Sequence, residues 1–273
     1  MINNNIVLIN DDFFDYQENL SPQSFDLILT DPPYNMLQEA GQDWDVAIDW
    51  ERTEEVFSRL LKPNGQVIMF CDINLFLVLF VKFGSHLVFK HFHIWHKPGG
   101  APSNKYHPIS NSEHILVFRP KRSKVSDLTF NPKSVLPAGD PYTKRNASPD
   151  MPTRRQQKSP VNINKTGERW VKTVLSGPSK PNMKNDERTS HPTQKPLNIL
   201  QDLIRCYSNP GDMVLDPFAG SGSTLIACDN EGRKCIGIEK DERFFQEALQ
   251  RIENHQSQQD IFKSAVKPQE NSK

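Results

Sequence analysis

Residues 212–255 limit what this chain can fold into more than any other stretch. "DMVLDPF" (212–218) reads as a short apolar strand running into an acid. "SGSTLIACDNEG" (221–232) opens on small residues and carries a helix. "KCIGIEK" (234–240) is a second apolar strand, and "DERFFQEALQRIENH" (241–255) is a helix whose acidic first turn suits the helix dipole. Apolar strands that alternate with helices imply a mostly parallel sheet covered on both faces.

The same grammar recurs upstream. "IVLIN" (6–10), "FDLILT" (25–30), "QVIMFC" (66–71), "LVFKHFHIWH" (87–96) and "EHILVF" (113–118) read as strands. "ERTEEVFSRLLK" (51–62) has Val56, Phe57, Leu60 and Leu61 at helical spacing, and "PNG" (63–65) stops it. Residues 74–83 read as a buried helix closed by Gly84, and "PLNILQDLIRCYS" (196–208) as an amphipathic helix opened by proline. The expected fold class is α/β: a doubly wound, mostly parallel seven-stranded sheet with an inserted basic region.

That insertion is residues 119–190. It holds nine of the 21 prolines, and only "RWVKTVL" (169–175) has strand-like content. Between Arg119 and Arg188 there are 16 Lys/Arg against 6 Asp/Glu, while the rest of the chain holds 17 against 27. One basic stretch in an otherwise acidic protein is what a phosphate-facing surface requires; a solvated loop region with a lysine excess is the plainer alternative. The expected division is 1–118 and 191–255 as two parts of one domain, 119–190 between them, and 256–273 as a frayed polar tail. With 273 residues the chain has room for one such domain and its insertion.

The four cysteines, Cys71, Cys206, Cys228 and Cys235, lie in or beside apolar runs and at no metal-ligand spacing, so buried reduced thiols are expected and no metal site. The N-terminus lacks the pattern of a signal peptide, and "INLFLVLFVKFG" is too short to cross a bilayer. The expectation is a cytoplasmic protein without membrane association.

Open parallel sheets bind ligands at the carboxyl ends of their strands. That selects Asp11, the "DPPY" group of residues 31–34, Asp216 with its glycines, and Glu239. In "VLDPFAGSGST", Gly220 and Gly222 let the backbone come close to a ligand and adopt positive φ. No Gly-Lys-Ser/Thr follows, which excludes a P-loop, and the third glycine of a dinucleotide fingerprint is missing. Glu239 stands about 20 residues on, where an acid commonly grips ribose hydroxyls. The ligand therefore carries a ribose, and Asp216 suits the ammonium of an amino-acid part.

"DPPY" (31–34), "HPTQKP" (191–196) and "DPFAGSGST" (216–224), in that order, resemble the beta-type (permuted) amino-group DNA methyltransferases dependent on S-adenosyl-L-methionine. The resemblance covers roughly residues 5–255. It implies a Rossmann-like methyltransferase fold, with residues 119–190 as target-recognition region. Asp216, Phe218, Ala219, Gly220, Ser221 and Gly222 would line the methionine part of the cofactor, and Glu239, with Lys240 beside it, the ribose. Asp11 would lie near the adenine. Thr193, Gln194 and Lys195 would complete the methionine pocket with His191 beside them; an N-cap before a Pro-started helix explains the same motif structurally.

The resemblance also gives "DPPY" a chemistry. An exocyclic amine is a poor nucleophile because its lone pair is delocalised into the ring. Asp31 supplies an acceptor for its N–H, the Pro32 carbonyl a second whose direction Pro32 and Pro33 fix, and Tyr34 stacks on the flipped base. Methyl transfer is then in line and direct, by positioning and hydrogen bonding. Within the basic region, Lys121, Arg122 and Lys124, Lys144 and Arg145, and Arg154 and Arg155 are candidate phosphate contacts. The "GGAPSNKYHP" loop is a weaker candidate.

The expected activity is site-specific methylation of adenine N6 in double-stranded DNA, because an acid stands at position 31 where cytosine-N4 relatives more often carry serine. Cytosine N4 is the alternative. RNA or protein-glutamine methylation is a remoter one, since such enzymes place the glycine motif before the Pro-Pro-Tyr group. The resemblance brings two further expected partners, a second copy of the chain and a cognate restriction endonuclease. Restriction–modification, phage-borne protective and regulatory roles all fit the sequence.

Overall fold

The computed structural model describes residues 5–34, 48–99, 105–106, 108–132, 142–144, 162–164, 170–185 and 187–266. The elements in chain order are β1 (Ile6–Asn10), α1 (Phe13–Tyr16), β2 (Phe25–Thr30), α2 (Trp50–Leu60), β3 (Leu61–Cys71), α3 (Ile73–Lys82), β4 (Leu87–His96), β5 (Ser112–Pro120), β6 (Tyr142–Lys144), β7 (Asn162–Asn164), β8 (Val174–Ser176), α4 (Leu197–Tyr207), β9 (Met213–Asp216), α5 (Ser223–Asn230), β10 (Lys234–Glu239) and α6 (Glu242–Val266). Three of the helices start on an aspartate whose carboxylate accepts a backbone N–H of the first turn: Asp12, Asp49 and Asp72.

One mixed sheet organises the chain, in the order β1-β10-β9-β2-β3-β5-β4-β8. Every neighbouring pair is parallel except β3–β5 and β4–β5, so β5 is the single reversed strand. β6 and β7 form a separate antiparallel pair. Strand residues alternate between two cores. Leu27 and Leu29 of β2 and Ile68 and Phe70 of β3 face α4, α5 and α6 through Ile199, Leu203, Leu225 and Ile252. Ile28, Val67 and Met69 face α2 and α3 through Val56, Phe57, Leu75 and Leu79. Helices on both faces of a mostly parallel sheet confirm the doubly wound α/β expectation.

Several expectations are corrected. The sheet has eight strands, not seven, because Val174–Ser176 of the insertion pairs with Ile94–His96 at the sheet edge. The boundary at 119–190 is therefore not a clean one. "PNG" lies inside β3, and the α2 helix already ends at Leu60. The tail does not fray at 256, since α6 runs to Val266. Nor is α3 a buried helix. Only Leu75 and Leu79 are fully covered, while Ile73, Leu77, Phe80 and Val81 are more than half exposed. Apolar composition made that helix look internal, but it packs on β3, β5 and α2 along one side alone. All four cysteines are buried and free. Among the described residues no helix is long and apolar enough to cross a membrane.

Candidate active site

At the end of β9 the chain turns sharply into α5. Gly220 and Gly222 take φ of +50° and +73°, as the turn demands. Gly222 caps α5 and lies against Ala248 and Ile252 of α6, and a Cβ there would come within 3.1 Å of Ala248. A Cβ on Gly220 would stand 3.0 Å from the His191 ring. Burial holds that imidazole well below its usual range, at about 4, so it is neutral at pH 7. Its edge packs on Phe244, with ring centres 4.4 Å apart.

Two acids border the turn. Glu239, at the end of β10, accepts the Gly220 N–H at 2.7 Å and the Asp241 N–H at 2.8 Å. Burial raises its pKa, and these two amides oppose the rise. Asp216 accepts the Thr30 hydroxyl at 2.8 Å and the Phe218 N–H at 3.2 Å. Burial dominates here too and lifts its carboxyl to about 6. The Thr30–Asp216 bond ties the end of β2 to the end of β9, which are neighbours in the sheet.

β2 delivers Asp31 to the same edge. Tyr34 donates its hydroxyl to Asp31 Oδ1 at 2.6 Å, and Lys195 Nζ lies 2.6 Å from Oδ2. Pro32 between them is buried. Burial raises the Asp31 pKa, and Lys195 pulls against it. Burial alone would discharge Lys195, but the carboxylates of Asp31 and Glu113 outweigh it and keep it an ammonium. Burial also pushes the Tyr34 hydroxyl well up, so it stays a donor.

Both halves line one cavity of about 370 Å³. Its wall includes Asp31, Pro32, Pro33, Tyr34, His191, Thr193, Gln194, Lys195, Asp216, Phe218, Ala219, Gly220, Ser221, Glu239, Lys240 and Asp11. Gly222 is not in the wall; it shapes the turn from behind. Gln194 is committed to its own loop, accepting from Thr189 and donating to the Glu187 carbonyl at 2.7 Å.

Comparison with known proteins agrees with this geometry. The DNA methylase family model, that of the N6/N4 enzymes, matches residues 25–250. The chain belongs to that family. The methylase is 30% identical to the DNA adenine methyltransferase YhdJ of Escherichia coli (strain K12) over 257 residues, covering 88% of this chain and 81% of the relative. Its structure resembles that of M1.HpyAVI bound to SAM, with TM-score 0.61, 27% identity and coverage of 90% and 98%. It also shares its fold with the cytosine-N4-specific PvuII DNA methyltransferase, at TM-score 0.64 and 16% identity over 95% and 92% of the two chains.

Among the described residues, the basic candidates Lys121, Arg122 and Lys124 do not line this cavity. Lys121, Arg122 and Lys124 follow β5, whose reversed direction carries them to the opposite end of the sheet from Asp31. Arg122 donates to the Ser58 and Leu61 carbonyls at the end of α2, and Lys121 donates to the Gly84 carbonyl at 3.0 Å. Arg122 stays exposed at the surface while its Nη donors serve the end of α2. Lys144 is described by backbone only, in β6. Arg145, Arg154 and Arg155, with most of the "GGAPSNKYHP" loop, lie outside the described residues.

Some participants in the methylase site were not anticipated. Arg251 of α6 donates to the Ser221 carbonyl at 2.9 Å and the Ser223 hydroxyl at 2.8 Å, bracing the glycine turn. Behind the Asp31 side of the cavity, Thr30 bonds Asp216, and Glu113 bridges Lys195 and Lys97. A basic residue one helical face from a glycine turn carries no local sequence signal. Thr30, next to the "DPPY" aspartate, was the one within reach.

Proposed function

We propose that this methylase transfers a methyl group from S-adenosyl-L-methionine to the N6 amino group of adenine in double-stranded DNA. The observation that carries the reading is the shared cavity, in which the "DPPY" group and the glycine turn with Glu239 face the same space.

The residues fit that cofactor. Glu239 has each oxygen on one backbone amide, which leaves acceptor capacity for ribose hydroxyls. The Gly220 position has no room for a side chain, as a close-fitting backbone wall requires. Asp216 would take the ammonium of the methionine part, and Ser221, Ala219 and Phe218 would border it. When bound, the sulfonium supplies an electrophilic methyl group. Asp31, held ionised by Lys195, accepts an N–H of the target amine and localises its lone pair; the Pro32 carbonyl offers the second acceptor. Tyr34, tethered to Asp31 through its hydroxyl, walls the base pocket. A base reaches this edge only outside the duplex, at a cost of a few kcal/mol.

Adenine is favoured by the acid at position 31 and by the likeness to YhdJ. We assign residues 119–190 as the target-recognition region on their excess of basic residues, and place the enzyme in the cytoplasm with its DNA. A homodimer is supported by the apolar residues that α3 leaves exposed. Among the described residues none speaks for a cognate restriction endonuclease, and the proposal leaves it out. The decisive measurement uses methyl-labelled cofactor and DNA from a methylation-free host, digested to nucleosides. Label in N6-methyladenine is expected. Label in N4-methylcytosine overturns the adenine assignment, and unlabelled DNA overturns the activity.

A further inference from the structure

Behind Asp31 stands a row of charges that the chemistry above uses only at its near end. Lys195 Nζ lies 2.6 Å from Asp31 and 3.4 Å from Glu113 Oε2, and Glu113 Oε1 lies 2.5 Å from Lys97 Nζ. The signs alternate along the row: Lys97, Glu113, Lys195, Asp31. All four are largely withdrawn from water; the side chains of Lys97, Glu113 and Asp31 are about one-fifth exposed and that of Lys195 is 7% exposed. The ammonium of Lys195 also sits over the rings of Phe70 at 5.3 Å, Tyr34 at 5.8 Å and Trp95 at 6.0 Å, so it has little freedom to leave. Glu113 and Trp95 face each other across β5 and β4, and the Lys97 N–H closes that hairpin on the Asn111 carbonyl at 2.7 Å.

Buried charge rows are costly to assemble and hold only when each charge is matched. We propose that Glu113 and Lys97 are positioning residues for methyl transfer: Glu113 shares Lys195 with Asp31, and Lys97 sets how large a share it takes. Left alone with Lys195, Asp31 would form a full one-to-one ion pair and accept weakly from a base amine. With no Lys195, burial would raise its pKa unopposed by that ammonium and favour the protonated acid. Glu113 keeps it between these limits. The inference rests on Asp31 being the acceptor for the target amine.

Five groups act on Asp31 from the elements packed around it: Lys195 before α4, Glu113 of β5, Tyr34 of its own loop, Cys71 at the end of β3 and Asp216 of β9. Of these Glu113 is the anion that also holds Lys195, so its removal favours ionised Asp31 directly and frees Lys195 for it. Both effects lower the Asp31 pKa. Removing Lys97 does the reverse, because Glu113 then leans harder on Lys195.

The test measures two quantities in wild type, Glu113→Gln and Lys97→Met: single-turnover methyl transfer to DNA against pH, and the carboxyl carbon-13 titration of Asp31 in the free protein. Glu113→Gln is expected to move the acid limb and the Asp31 titration down by about half a pH unit or more while the plateau rate falls about tenfold. Lys97→Met is expected to move both up. A merely structural loss lowers the rate with no opposed displacement, and unmoved titrations in both variants overturn the proposal. If Glu113→Gln does not fold, Lys97→Met decides alone, since Lys97 is at the rim. Displaced titrations in a wild-type protein that transfers no methyl group to DNA would sink the proposed function while leaving this coupling standing.

Discussion

The two sides of the cavity hold their carboxylates in different ways. Glu239 is fastened by two backbone N–H groups of the glycine turn and the start of α6. Asp31 is fastened by side chains alone, a phenol and an ammonium. A backbone cradle is set by the fold and is the same whatever the ligand does. A side-chain cradle depends on charges that answer to pH and to neighbours. The glycine turn is thus built to present a fixed surface, and the catalytic edge to present a tuned one.

The largest break in that contrast is Asp31→Asn. Methyl transfer should fall by about a thousandfold or more, since the buried acceptor charge is lost, while cofactor affinity changes less than about twofold. Rapid-quench rates with a parallel cofactor titration check it, and equal losses in both would show that the two sides are not separable. Next is Gly220→Val on the fixed side. Positive φ and the His191 ring leave no room, so cofactor affinity should drop by about tenfold or more, with a Tm lower by several degrees. Arg251→Ala loosens the same turn from outside, and the expected weakening of cofactor binding is about three- to tenfold, read by calorimetry. Thr30→Val removes the bond between the two sides at a cost of about 1–2 kcal/mol in denaturant unfolding. The smallest effect is one of pH. Asp216 is protonated in the free protein below about 6. Its ionised form is the one that meets an ammonium, so cofactor affinity should weaken as pH falls through 6 and be flat above it. Affinity that is level down to pH 5 would remove Asp216 from the ammonium's partners.

The doubly wound sheet and most of the cavity were readable because parallel strands put their chemistry at or just after their last residue. Asp11, Asp31, Asp216 and Glu239 all obey that rule. Glu113 breaks it. β5 runs backwards, so the residues at this edge precede its core rather than follow it, and one antiparallel strand hides them from a reading by strand ends. α3 was misread for another reason. Composition reports how apolar a helix is, and not whether a second layer covers it. At Arg122 the hidden part is local partnering: a cationic side chain in a basic region looks free until the carbonyls of α2 are seen beside it. Long-range partners such as Arg251 and the Ser221 carbonyl leave no trace in local pattern at all.

The Thr30–Asp216 hydrogen bond spans 186 positions of the chain, and the strands it joins lie side by side. During synthesis β2 emerges before β9 and waits for it, with one edge unpaired, while all the residues between them are made. A nascent or prematurely terminated chain carries Asp31 and Tyr34 with no cofactor wall opposite them. The cavity has both its walls only once β9 and β10 are in place, and a copy truncated before them that reached DNA would have nothing with which to modify it.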